Sequence, residues 1–310
     1  MAFDVSGLNT FRDEFSSELT SKVILESETL LKLGNIDLYP NIKAGSELKL
    51  NHASQTISPR AAGCSFNASS GETSLSQETI TPKAFQDDQN WCPQDLSPKY
   101  LAQKMKGSTH QEDFTESQFI FELVSKEIKK FNDAIIWTGD TDDGDLIDGI
   151  LTKLEDDADR VNLTVDSGLT YTLDNTYDIV YDMYEKFVQD LPELINQDDL
   201  VLLTSNAVFA SFTKALRDAN LFNYGQHNDA FKTGIIIPGT NVTIMPLNGL
   251  GNDWRMILTK QENLVIVMDG VSDEEGMDVW YSKDNQEIRG VSKWTLGSGY
   301  HFGDNIVTNF

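Results

Sequence analysis

With 310 residues, 39% of them hydrophobic and 10% aromatic, the chain is long enough to bury one large core or two moderate ones. Its 49 acidic residues against 24 basic ones leave a formal net charge of -25, which opposes tight binding to nucleic acid or anionic membranes. Two cysteines fit a reducing compartment, the first fifteen residues lack the apolar core of a signal peptide, and no run reaches the roughly 18 apolar residues of a membrane span.

In chain order, Phe11, Phe15, Leu19, Val23, Leu30 and Leu31 recur every three or four residues, predicting a helical arm that stops at Gly34. Such an arm packs on its own domain or lies on a neighbour. Residues 35–96 are different in kind: rich in Ser, Thr, Asn, Gln and Gly, with apolar residues scattered singly. Alternation at Glu47-Leu48-Lys49-Leu50 and Glu78-Thr79-Ile80-Thr81, around a turn-like Asn67 to Gly71, predicts a long extended hairpin too polar to hold a core. A loop of that length without its own core is usually functional or disordered. Cys64 and Cys92 lie towards its two ends and are expected to be a buried or cross-strand thiol pair, since a metal site needs more ligands.

Thr115 to Gln118 fits a capping box, and Phe121, Val124, Ile128, Phe131 and Ile135, widened by Ile120 and Leu123, form the apolar stripe of a long helix ending near Gly139. The following run, Asp140, Asp142, Asp143 and Asp145 with Gly144, has the carboxylate density of a calcium loop. Its glycine comes one position early, however, and the twelfth residue is Leu151 rather than Glu. An acidic turn capping a helix over about 146–154 is the preferred reading. A further helix from Asn175 or Thr176 is expected to place Tyr177, Val180, Tyr181, Tyr184, Val188 and Leu191 on one face, as core packing with hydroxyls at the rim.

The stretch from Asp199 to Leu247 reads as scaffold: a strand at 200–203, a capped helix with Val208, Phe209, Phe212, Leu216 and Ala219 on one side, then strands at 234–237 and 242–245. The turn between those strands, Ile237-Pro238-Gly239-Thr240, has the type II signature. Strands follow at 255–258 and 264–268, with more from Val279 to Phe310.

No enzymatic motif emerges. His52, His110, His227 and His301 are far apart, Gly297-Ser298-Gly299 lacks the setting of a nucleophile elbow, and Gly249-x-Gly251 stops short of a dinucleotide fingerprint. Dispersed carboxylate pairs are expected by chance among 49 acids. The Asn-x-Ser/Thr triplets at Asn67, Asn162 and Asn241 read as chance too, without a secretory signal. Catalytic residues, metal ligands and cofactors are therefore all predicted to be none.

The order of parts carries more information. An amphipathic arm, a polar hairpin, one long helix, a mixed region and a return of strands resembles the major capsid proteins of tailed bacteriophages, with their Hong Kong 97-like α+β fold. Gly63-Cys64-Ser65-Phe66, Ser70-Gly71 and Cys92-Pro93-Gln94-Asp95-Leu96 are similar to a run in those proteins. So are Trp137-Thr138-Gly139-Asp140 and Asp148 to Leu151. The resemblance implies an N-terminal arm (1–34), an extended loop (35–96), a peripheral domain with its spine helix (97–138), an axial domain (139–251) and return strands of the peripheral domain (252–310). It implies hexamers and pentamers of the chain itself, a separate scaffolding protein, a portal, decoration proteins, and DNA enclosed without sequence-specific contacts. The location implied is the virion, assembled in the host cytoplasm, with no membrane partner. Cross-linked members join a loop lysine to an asparagine; only Lys83 lies between Asn51 and Pro98, and no motif surrounds it, so no cross-link is expected. The alternatives are an encapsulin-like cargo shell and an acidic calcium-binding or hydrolase domain using the carboxylates from Asp140 to Asp145.

Overall fold

The computed structural model describes residues 27–55, 73–92, 95, 116–163, 171–172, 174–197, 199–219, 234–269 and 276–310. A short helix α1 (Glu28–Lys32) leads into strand β1 (Asp37–Tyr39), then β2 (Leu48–Gln55), β3 (Thr73–Ile80) and β4 (Lys83–Trp91). Helix α2 (Glu116–Thr138) is the longest element, and α3 (Ile150–Asp156) and β5 (Val161–Asn162) follow it. Next come α4 (Thr176–Asp190), β6 (Leu200–Thr204), α5 (Asn206–Asp218), β7 (Ile235–Ile236) and β8 (Thr243–Pro246). The chain finishes with β9 (Ile257–Lys260), β10 (Leu264–Met268), β11 (Gly276–Ser282), β12 (Glu287–Tyr300) and β13 (Val307–Thr308). No described helix is long and apolar enough to cross a membrane.

The described strands form three sheets. One has five strands in the order β1-β10-β12-β11, with β4 on the other edge of β12; one has six in the order β5-β13-β9-β6-β8-β7; the third is the β2-β3 hairpin. Helix α2 turns Ile120, Val124, Ile128, Ile135 and Ile136 into the first core, together with Trp294, Leu296 and Ile266 of the five-stranded sheet. The predicted stripe is therefore offset: Leu123 and Phe131 remain 41% and 43% exposed. Phe131 instead covers the edges of Phe85 and Trp294, at 5.7 and 6.3 Å between ring centres. The capping box at Thr115 and the side chain of Phe121 lie outside the described residues, as does the arm before Ser27.

The second core lies between α4, α5 and the six-stranded sheet. Strand β6 is buried along its whole length, and Ser205 caps α5 by accepting from the Val208 N–H at 3.4 Å. Val208, Phe209, Phe212 and Leu216 face inward as expected, while Ala219 is the exposed C-cap. The predicted turn is present: the Thr240 N–H donates to the Ile237 carbonyl at 3.1 Å and Gly239 has φ +82°. On α4 the expected face is corrected. Ile179, Val180, Met183 and Phe187 are the buried side, and Tyr177, Tyr181 and Tyr184 sit at its rim. A tyrosine hydroxyl needs a partner when buried, so the fully apolar stripe takes the core. Tyr181 finds its partner in the Pro238 carbonyl, 3.0 Å away.

Two further expectations change. Of the described residues within 35–96, read as one extended loop, only β2 and β3 form the separate two-stranded sheet; β1 and β4 are strands of the five-stranded sheet. Phe85 explains the placement of β4, because its ring is 5% exposed and stacks on Trp294 at 5.7 Å. The final strands also divide: β10, β11 and β12 build the five-stranded sheet, but β9 and β13 join β6 in the other. The helix expected over about 146–154 begins at Ile150 instead, with Gly149 as its cap.

Candidate functional site

The hairpin has two different faces. Register places Leu48 opposite Ile80 and Leu50 opposite Glu78, so these four side chains point to one side. Leu50 and Ile80 are buried against Val265 and Val267 of β10, whereas Lys49, Asn51, Gln77 and Thr79 are exposed on the other side. The seat for Ile80 is the Gly297-Ser298-Gly299 run of β12. A Cβ on Gly299 would lie 2.6 Å from Ile80 Cδ1, and one on Gly297 would lie 3.1 Å from Pro82 Cα. Gly297 lets the Pro82 backbone come close, and Gly299 leaves room for the Ile80 side chain. The run that failed as a nucleophile elbow is a docking track for the root of the hairpin.

Below the root is a cleft of about 920 Å³, walled by Gln77 and Glu78, the turn from Asp140 to Asp148, α3 and the end of β12. Its lining is strongly acidic, with Glu78, Asp140, Asp142, Asp148, Asp157 and Asp304 among the carboxylates. Lys153 is the one lysine or arginine among the described lining residues. Its Nζ donates to the Ser298 carbonyl at 2.6 Å. Burial lowers the Lys153 pKa, and the nearby charges of Glu78 and Asp148 oppose that shift. Burial raises the Glu78 pKa, with Lys153 pulling it down and Asp157 pushing it up. The Tyr300 hydroxyl donates to Asp157 Oδ2 at 2.8 Å; burial and that carboxylate both raise the tyrosine pKa, keeping the hydroxyl a donor. His301 Nε2 lies 2.9 Å from Asp37 Oδ2.

The acidic run after α2 is bound up in its own turn. The Asp145 carboxylate accepts from the Asp140 N–H at 3.0 Å and the Asp140 carboxylate from the Asp142 N–H at 2.8 Å. Asp148 Oδ1 accepts from both the N–H and the hydroxyl of Thr141. Carboxylates used in this way organise a loop rather than converge on a point, and no group of three or more His, Cys, Asp or Glu among the described residues could hold a metal ion.

Other residues singled out in the sequence are dispersed. Lys83 is exposed at the start of β4, opposite Leu296. Cys92 is a free thiol and exposed, not buried as expected; Cys64 lies outside the described residues. The side chain of His52, and all of His110 and His227, lie outside them as well. Gly249 sits in a 3-10 turn against α2, where a Cβ would come within 2.6 Å of Trp137 Cδ1. Sequence reading missed Lys153, Tyr300 and Asp157, which meet only because α3 and β12, nearly 150 residues apart in the chain, pack together.

The α+β fold resembles the Hong Kong 97-like capsid architecture. A structure from Gordonia phage Cozz superposes with a TM-score of 0.58 and 11% identity, covering 91% of this chain and 86% of that one. The capsid of Myoviridae phage XM1 gives 0.55 and 13%, with 91% and 90% covered. The capsid of an empty GTA particle gives 0.55 and 9%, with 92% and 96% covered. No protein-family model matches the sequence, and no curated protein matches it either.

Proposed function

We propose that this chain is the major capsid protein of a tailed double-stranded DNA phage and assembles into the icosahedral shell around the genome. The observation that supports it best is the whole-chain likeness, over nine-tenths of the length, to solved capsid structures. The arrangement of the chain fits this use. Residues 1–34 are the N-terminal arm and the β2-β3 hairpin is the working part of the extended loop. Helix α2 is the spine of a peripheral domain with the five-stranded sheet, and the six-stranded sheet with α4 and α5 is the axial domain. Closed symmetric shells need complementary surfaces repeated in every copy rather than reactive groups. Hexamers and pentamers of the chain, a separate scaffolding protein, a portal and decoration proteins are the partners this role entails. The virion is the final location, after assembly in the host cytoplasm.

Electron microscopy of the purified protein, expressed alone and with its neighbouring genes, tests the reading. Closed icosahedral particles enclosing DNA in the natural context are expected. Particles that instead enclose one protein cargo point to an encapsulin-like compartment, and a protein that stays monomeric in every context overturns the shell reading.

A further inference from the structure

We infer that Lys153 and Glu78 form an electrostatic latch that holds the hairpin against the body of its own subunit. The inference concerns one chain and does not depend on the shell reading. Alternation along β3 puts Glu78 on the same side as Ile80, one step further from the hinge. That is the side that meets the body, since Ile80 is buried on Gly299 and β10. Lys153 waits at the matching place: its Nζ is held by the Ser298 carbonyl and lies 3.6 Å from where a Gly299 Cβ would be.

The other charges that line the cleft are mostly acidic, with Arg160 acting on Tyr300 as a further cation nearby. Asp140, Asp142, Asp148, Asp157 and Asp304 line the same cleft, and His301 is committed to Asp37. Without the ammonium, Glu78 would face these carboxylates, Asp157 foremost, across a partly desolvated cleft. Repulsion there is poorly screened and acts on the hairpin with Ile80 as the pivot. Among the described side chains of the hairpin, Leu50 and Ile80 are the buried ones, with Leu48 partly buried beside them, so the apolar contacts at the root are a weak restraint by themselves. One lysine thus sets whether the hairpin lies down or lifts.

Hydrogen exchange on the full chain, compared with Lys153→Met, Lys153→Arg, Glu78→Gln and the Lys153→Met/Glu78→Gln double variant in the same oligomeric state, tests this. Lys153→Met should speed exchange of the β2 and β3 amides near Leu50 and Ile80 by roughly tenfold while α2 and β6 stay protected. Lys153→Arg should change little; Glu78→Gln removes attraction and repulsion together and should loosen the hairpin by clearly less than Lys153→Met, and the double variant should fall back to the Glu78→Gln level because the repelled charge is gone. Unchanged hairpin exchange in Lys153→Met overturns the latch. So does a double variant as loose as Lys153→Met, or a rise spread evenly over all three sheets, which would mark Lys153 as a general support of the fold.

Discussion

Asp133 does its work on a segment a hundred residues earlier in the chain. Its two carboxylate oxygens accept the backbone N–H groups of Glu28 and Thr29, at 3.0 and 3.1 Å, satisfying free donors at the start of α1. Trp137, one turn along α2, completes the attachment by donating to Thr29 Oγ1 at 3.0 Å. Burial raises the Asp133 pKa and the two backbone donors pull against that rise. A raised folded pKa means a contribution to stability that is complete below the unfolded carboxylate pKa and lost as pH rises through the folded one. Wild type should therefore gain stability relative to Asp133→Asn as pH falls from neutral to about 4, near the unfolded carboxylate value. Urea titrations of both proteins across that range check the sign, and a flat or opposite trend removes the argument. Gly249 is the second residue with a single explanation. Alanine there would press a methyl group onto the Asp133 carbonyl and the Trp137 ring, and overpacking of this kind costs about 2–3 kcal/mol. The expected result is a lower denaturation midpoint with the slope unchanged.

At the scale of elements, what could be read from the chain depended on how local its cause was. The strand at Leu200, the Ser205 cap, the Pro238-Gly239 turn and the end of α2 all rest on neighbouring residues, and all were legible. The tyrosine face of α4 misled because two stripes share helical spacing and only the sheet decides between them. Strand β4 was hidden because Lys83 to Trp91 buries a single apolar side chain, Phe85, as befits an edge strand rich in Gln and Asp. The cleft was invisible in sequence, its walls coming from four separated stretches. The division at Pro82 makes a sharp prediction. Replacing residues 54–75 with a short Gly-Ser linker should leave a cooperatively folded protein, since Leu50, Ile80 and the five-stranded sheet remain. Replacing 53–89 removes Phe85 and the ladder of β4 on β12, and should lower stability by several kcal/mol or prevent folding. On the shell reading, the shorter replacement also abolishes closed particles. Calorimetry with electron microscopy separates the outcomes, and particles formed by the shorter variant would rule out the hairpin as the clasp between subunits.

For the whole molecule, charge sets the terms of association. Each copy adds a formal charge of -25, so bringing copies side by side accumulates repulsion that only salt or a basic partner relieves. On the shell reading, raising ionic strength should promote particle formation, followed by light scattering at fixed protein concentration. Dissolution by salt would instead show that ion pairs between subunits dominate.

The hairpin also has two unequal legs, which matters when it is put under tension. One leg descends through residues 40–47 to β1, held to β10 over three residues with an extra bridge from Asn41 to Asp269. The other passes Pro82 into β4, zipped to β12 over nine. Both legs therefore end in strands that flank the same central pair, β10 and β12. Tension on the hairpin divides between a short seam and a long one, and the short seam yields first. In mechanical terms β1 is a fuse: its release pays out slack on one side while the long seam keeps the body whole. Single-molecule pulling through the hairpin should record a small, reversible first extension before the main rupture; a single rupture event would show that the two seams fail together.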